Sequence, residues 1–401
     1  MKKTFLLILC TLCSVLGFAQ IDMQAHAGSD EGLAAYDYKQ GKFQTYYTGD
    51  YAYDQLIALE GDDLFGALNS LMGSTSKIGD SRFSYNSLRD AYIKVDIDLN
   101  NKGTKIIGYY DGCSMNGAWD GGKTYNREHT WPQSKGADKG IPMGHDMQSV
   151  RPANAKINGD RGNTAYGESS SYYDPDVVQI NNSYYNKSNL GSYRGDAARV
   201  IIYDYVVYGE AGGHKSGLYN GNAQLLSKLG SSGVFESLEV LLKWHMADPP
   251  TLTEVVRNDG GQDYQGNRNP FLDFTELAIQ MLTHKVQSYP ITTSLGAEEI
   301  LWPNYKHTLK NGFIAYIGSN GNHPEKVAVT GASSTYDPNN GRLTVSNVTG
   351  AVTISTGEHP EQGIEDIYNT TEPAAKKVFY NGHIYIIRDG VRYSVLGNKM
   401  N

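Results

Sequence analysis

The sequence predicts an α+β protein: a mainly helical body, then a small all-β module, then a C-terminal β-hairpin tail. Three observations carry this. Apolar residues recur at helical spacing in several segments before residue 290. From about Ser294 that spacing gives way to Thr/Val/Gly/Asn-rich alternation, as in RLTVSNVTGAVTIST (342–356). Residues 377–401 then hold two apolar runs, VFYNGHIYIIR and VRYSVL, joined by Asp389-Gly390, a dipeptide suited to a tight hairpin.

In chain order, MKKTFLLILCTLCSVLGFAQ has a basic start, a moderate apolar run and small residues near Ala19. It reads as a signal peptide over 1–19, and a polar leader follows over 20–44. Leu9 and Leu12, rather than small residues, precede Cys10 and Cys13, which argues against a lipoprotein signal. The helical body is placed at 45–290. Residues 54–74 predict helices around an inner glycine, and 87–100 a capped helix turning β-like at its end. RGDAARVIIYDYVVYG (194–209) predicts an amphipathic core helix ending at Gly209. VFESLEVLLKWHM (234–246) is stopped by Asp248-Pro249-Pro250, and 274–288 gives a further helix. The β-module spans 294–356, a linker 357–376 and the tail 377–401, with no extended internal repeat.

The formal charge of −8 becomes about −10 once Lys2 and Lys3 leave with the signal, which globally opposes nucleic-acid binding. The field in a cleft depends on its local lining, however. Between Trp119 and Asn163, seven Lys/Arg face five Asp/Glu, against the acidic trend. The thirty tyrosines read either as stacking surfaces for bases and sugars or as ordinary strand and loop residues. Only Cys113 survives signal removal, so no intramolecular disulfide is expected and the core must stabilise the chain. No later segment approaches the roughly 18 consecutive apolar residues of a membrane span, so the mature protein is expected to be soluble.

The chemistry concentrates in YNREHTWP (125–132) and GHDMQSVRPANAKINGDRGN (144–163). The first reads as a strand ending at Pro132. In the second, Pro152 suits a first helical turn and Gly159 a C-terminal stop, giving a short helix with Asn158 on its last turn. Glu128, His129 and Asn158 together suit phosphodiester hydrolysis. A neutral imidazole can take a proton from water near pH 7, and two hard oxygens plus waters and phosphate suit Mg²⁺. Strand alternation sends Glu128 and His129 to different sides, which would let them straddle a phosphate if local twist brings both to one cleft.

REHTWP followed by HDMQSVRPANAKINGDRGN resembles the endonuclease I family of secreted and periplasmic nucleases, which carry a ββα-metal (His-Me) finger. The likeness covers roughly 45–290 and extends to RGDAAR (194–199), LLKWHMADPP (241–250) and RNDGGQDYQGNRNPFLD (257–273). It implies a finger embedded in the helical body, His129 as general base, and Glu128 and Asn158 as ligands of one divalent ion. That ion is expected to be Mg²⁺, with Mn²⁺ or Ca²⁺ as alternatives. It further implies cleavage of DNA, and also of RNA, with little sequence preference and 5′-phosphate ends. Arg151 and Arg161 are the candidates for an arginine that steadies the phosphate. Arg127, Asp146 and Asp160 are supporting residues, Asp146 as a hydrogen-bond acceptor bracing the finger. Two departures stand out: Gln148 occupies a place the family usually gives to histidine or another large residue, and the 129–158 connection is short.

Other segments keep plainer readings. QGNRNP (265–270) is either a phosphate contact through Asn267, Arg268 and Asn269 or a turn held by its asparagines before Pro270. Arg194, Asp196 and Arg199 read as an ion-pair network at a helix start, with phosphate contact the alternative. Trp244 and His245 read as core, His145 as a loop residue and Cys113 as packed or idle. The tail resembles the C-terminal sorting modules of gliding-type secretion substrates in the Bacteroidetes. That implies delivery by a secretion machinery to the medium or cell surface; the alternative for the tail is a terminal hairpin capping the β-module, and the alternative location is the periplasm. A monomer is expected. Competing functions are a surface-displayed glycan- or DNA-binding protein with a degenerate nuclease core, and a metal phosphoesterase acting on small substrates.

Overall fold

The structure, a computed structural model, describes residues 43–98, 104–177, 179–180, 183–184, 192–296, 299–318, 323–356, 376–380, 383–388, 391–394 and 399–400. The signal segment, most of the leader, nearly all of the 357–376 linker and the Asp389-Gly390 turn lie outside the described residues.

The first part of the body holds α1 (Tyr53–Leu56), α2 (Gly61–Thr75), α3 (Leu88–Val95), β1 (Lys105–Ile107) and β2 (Ser114–Asn116). Next come β3 (Tyr125–His129), β4 (Val150–Asn154), α4 (Ala155–Arg161), and the short β5 (Gln179–Ile180) and β6 (Ser183–Tyr184). The remainder is α5 (Arg194–Tyr208), α6 (Leu238–Ala247), α7 (Leu252–Gln265), α8 (Pro270–Asp273) and α9 (Leu277–Leu282). The 54–74 segment divides because Glu60 is extended and Gly61 takes φ 57°, a left-handed conformation that glycine adopts without a Cβ penalty. The 274–288 segment yields only α9 and a following 3₁₀ turn.

One sequence expectation changes here. The α5 helix is not amphipathic: every residue except Arg194 is buried. It runs through the body's centre because its polar groups find partners there, Arg199 with Glu254 and both Tyr203 and Tyr208 with Asp146. In addition, α7 runs straight through Gly260-Gly261. A capping box of Thr251 and Glu254 starts it, and the two glycines let it lie against Val95 on α3 and against Met147 and Gln148.

The β-module contains two four-stranded sheets. Its strands are β7 (Tyr289–Ser294), β8 (Ile300–Trp302), β9 (His307–Thr308), β10 (Phe313–Gly318), β11 (Ala328–Thr330), β12 (Ser333–Asp337), β13 (Arg342–Ser346) and β14 (Val352–Ser355). One sheet has the order β12-β13-β10-β8 and the other β11-β14-β7-β9, with β7 and β14 parallel. The module begins earlier than Ser294, at Tyr289. It is also not separate: α6 packs on β10, and one apolar core runs from Leu64 and Ile201 through Trp244 to Phe313 and Ile354. In the tail, VFYNGHIYIIR is two strands rather than one. β15 (Lys376–Tyr380), β16 (His383–Arg388), β17 (Val391–Ser394) and β18 (Lys399–Met400) form a four-stranded antiparallel meander. Among the described residues no helix is long and apolar enough to cross a membrane.

A second, smaller apolar cluster joins Leu88, Tyr92 and Val95 of α3 to Ile106, Met115, Tyr125, Met147 and Val150. The β3–β4 pair lies between the two clusters, with Tyr125 and Val150 in the smaller one and Ala153 in the larger. This wedge fixes the strands that carry the candidate site.

Candidate active site

β3 and β4 pair antiparallel, with Glu128 opposite Arg151, His129 opposite Val150 and Tyr125 opposite Asn154, and α4 follows β4 directly. The predicted helix from Pro152 is thereby corrected. VRPAN is a strand, and Pro152 sits in it with its carbonyl accepting the Tyr109 amide at 2.7 Å. The helix starts at Ala155 because the Asn154 side chain accepts the Lys156 and Ile157 amides, satisfying donors that a helix start leaves open. It continues through Gly159 and ends at Gly162, whose φ is 55°.

The end of β3 and the second half of α4 border an open cleft of about 540 Å³, lined among others by Arg127, Glu128, His129, Gln133, Asn158 and Arg161. The three groups singled out from the sequence therefore share one space, although Glu128 and His129 are adjacent on a strand.

His129 is 6% exposed, and its ring geometry sets its tautomer. Nε2 lies 3.0 Å from the Gly144 carbonyl oxygen, which can only accept, so Nε2 carries the hydrogen. Nδ1 is left with its lone pair and accepts from the Gln133 side-chain amide at 3.2 Å. Burial lowers the imidazole pKa to about 4, outweighing the carbonyl's opposite pull, so the ring is neutral at pH 7. The Tyr85 ring stacks on it, with centroids 5.6 Å apart at 28°. Gly144 can present its carbonyl only because it lacks a side chain; a β-carbon there would overlap the Asp138 carbonyl.

Glu128 is almost fully buried. Its Oε1 accepts from the Tyr110 hydroxyl at 2.8 Å and from Arg161 at 3.0 Å, while Oε2 makes no hydrogen bond with a described residue. Burial pushes the carboxyl pKa up, and Arg161 and Tyr110 pull it back. Asn158 is half-buried, and its side chain makes no hydrogen bond with a described residue. Two hard oxygens, Glu128 Oε2 and Asn158 Oδ1, are thus left for a divalent ion, and the donor chemistry fits Mg²⁺ with water completing its shell. Among the described residues no group of three or more His, Cys, Asp or Glu could hold a metal. An ion here would therefore rest on the carboxylate–amide pair.

The arginines separate clearly. Arg151 is not in the cleft: it lies buried over the Tyr109 ring, 3.8 Å from Asp96. Arg161 borders the cleft but is 1% exposed. Its Nη1 donates to Glu128 and to the His129 carbonyl at 2.8 Å and its Nη2 to the Thr130 carbonyl at 2.9 Å, so it clamps α4 to the end of β3. Arg127, half-buried, sits 3.6 Å over the Tyr85 ring and 4.7 Å from the Trp119 ring. Its Nη1 donates to the Tyr85 carbonyl at 2.7 Å, and Nη2 makes no hydrogen bond with a described residue. Sequence spacing could not rank the three, because burial decides which guanidinium can meet a ligand.

The other singled-out residues lie elsewhere. Asp146 is fully buried and accepts from Tyr203, Tyr208, Gln265 and the Gln148 amide. Asp160 is exposed and pairs with Lys156 at 2.7 Å. Gln148 is buried against Asn258. Arg268 is fully buried between Asp259 and Asp273, and Asn269 caps α8, so QGNRNP is a structural turn. Arg199 pairs with Glu254 at 2.8 Å, and Arg194 with Asp174 on the surface side. Gln133, Gly144, Tyr85 and Tyr110 were missed, since only folding brings them to Glu128 and His129.

The endonuclease I family profile matches residues 67–276, spanning all these elements. The chain is similar to the extracellular ribonuclease of Bacillus amyloliquefaciens, 31% identical over 244 residues, 57% of this chain and 77% of that protein. It is also similar to the extracellular ribonuclease of Bacillus subtilis (strain 168), 29% identical over 264 residues, 63% of this chain and 84% of that protein. With a family profile running along the helical body and relatives matched over most of their own length, this chain belongs to the endonuclease I family.

Proposed function

We propose that the protein is a secreted, metal-dependent endonuclease that hydrolyses phosphodiester bonds of DNA and RNA with little sequence preference and leaves 5′-phosphates. The observation that carries this is His129 Nδ1. Nε2 is committed to Gly144, so Nδ1 keeps the lone pair, held at rest only by the neutral Gln133 amide, and His129 borders the cleft shared with Glu128 and Asn158. The relatives' names support RNA as a substrate and export as the destination, and the signal-like N-terminus and sorting-like tail agree with export.

In this reading β3, β4 and α4 act as a ββα finger. Nδ1 takes a proton from a water while the water oxygen bonds to phosphorus. The P–O3′ bond breaks, and the departing 3′-oxygen takes a proton from solvent. Glu128 and Asn158 would hold a divalent ion, which supplies charge neutralisation at the phosphate and leaving oxygen. Arg161 keeps Glu128 and the end of β3 in place, and Tyr85 and Gly144 hold the imidazole.

Plasmid DNA and total RNA incubated with the purified protein, with Mg²⁺ or with EDTA, test the reading. Both should be degraded in Mg²⁺ and spared in EDTA. Intact nucleic acid in Mg²⁺ rejects the proposal, and retarded but intact plasmid would instead favour a binding protein. Because the imidazole is held neutral down to about pH 4, the rate should also stay flat well below the ordinary histidine range.

A further inference from the structure

We propose that Tyr85, Trp119 and Arg127 form a base-stacking wall beside the scissile position, which makes single-stranded nucleic acid a better substrate than duplex. The inference rests on the nuclease reading above and names its substrate class. All three residues are half-buried and line the cleft that holds His129. The Arg127 guanidinium lies close to both rings, and Arg89 lies 5.5 Å from the Trp119 ring. Aromatic rings interleaved with guanidinium planes are the surface on which an unpaired nucleobase stacks, whatever its identity.

The wall is held rigid before any substrate arrives. Trp119 sits edge-on to Tyr125, with centroids 5.3 Å apart at 75°. The next residue, Asp120, accepts the Lys123 and Thr124 amides and the Thr124 hydroxyl, closing a tight turn through Gly121 and Gly122, whose φ values are 82° and 88°. Arg127 is fixed through Nη1 on Tyr85 and Asn86. Little side-chain freedom remains to be lost when a base stacks. Bases of a duplex are already stacked on one another and turn only their edges outward, so they gain nothing from this wall.

The test uses the full-length protein in Mg²⁺ and one DNA oligonucleotide, alone and annealed to its complement, with kcat/KM measured on each. The wild type should prefer the single strand by about tenfold or more. Trp119→Ala should bring the ratio toward one, and Trp119→Phe should keep most of the preference. The ratio is taken within each variant, so a loss of folded protein cancels. Equal rates on both forms by the wild type, or a Trp119→Ala variant that slows both forms in proportion, overturns the stacking wall while leaving the nuclease intact. Cleavage of neither form by the wild type sinks the nuclease reading and this inference with it.

Discussion

His129 and His245 are built alike and placed differently. Each is buried, each gives its Nε2 hydrogen to a backbone carbonyl (Gly144 at 3.0 Å, Thr275 at 2.8 Å), and burial lowers the pKa to about 4 and about 3. The difference lies at Nδ1. In His129 it meets Gln133 beside an open cleft with Glu128 and Asn158, whereas in His245 it is buried in α6 without a partner. A lowered pKa therefore does not mark an active site. A neutral lone pair becomes a base only where a water and a phosphate can reach it.

The largest effect that would break this comparison is on activity. His129→Ala should lower the cleavage rate by about 10²–10⁴-fold or more, with DNA affinity nearly unchanged in a retardation assay. His245→Gln should leave the rate per folded molecule near that of the wild type. If the two variants lose activity equally, Nδ1 access to the cleft is not what distinguishes them.

A second contrast, between arginines, predicts a large loss of stability. Arg268 is sealed between Asp259 and Asp273, while Arg127 keeps Nη2 open beside the cleft. Arg268→Ala leaves two buried carboxylates without their counter-charge and should cost about 3–5 kcal/mol in urea melts. A cost near that of a surface change would mean the cluster is solvated.

What the sequence made legible follows the same division. YNREHTWP and Asn158 could be read because their chemistry is carried by the side chains themselves, whatever the fold. The second strand could not, because Pro152 is suited to a helical first turn and only pairing with β3 makes VRPAN extended. Helix α7 has no counterpart in the sequence reading, and in it Gly260 allows close approach to Val95 on α3 and Gly261 to Gln148. Arg151 and Arg161 read alike as phosphate candidates in the sequence, whereas the fold sets Arg151 beside Asp96 and ties Arg161 to Glu128 at the border of the cleft. Most of RNDGGQDYQGNRNPFLD, dense in charge, is likewise buried, with Asp263 left exposed.

The next effect is on pH and concerns stability alone. The His245 pKa is about 3 when folded against about 6.5 in the unfolded chain, so the unfolded state takes up the proton first as pH falls. This contribution is complete above about pH 6.5 and is lost as pH drops toward 3, at up to about 1.4 kcal/mol per unit. His245→Gln removes the titration while keeping an amide donor for the Thr275 carbonyl. The stability difference between wild type and variant should therefore shift steadily between pH 7 and pH 4.5. A difference independent of pH would mean the ring is hydrated when folded.

The smallest effect makes the two histidines alike. Gln133→Ala removes the side chain bonded to His129 Nδ1, leaving that nitrogen with no protein partner, as in His245. A neutral hydrogen bond contributes about 0.5–1.5 kcal/mol net, and the cleft is open enough for water to replace it, so stability should fall by no more than that. Activity should stay within about tenfold of the wild type, because the lone pair that Gln133 occupies at rest is the one a reacting water must take over. A loss as deep as that of His129→Ala would instead make Gln133 part of the chemistry, and access to Nδ1 would no longer account for the contrast between the two rings.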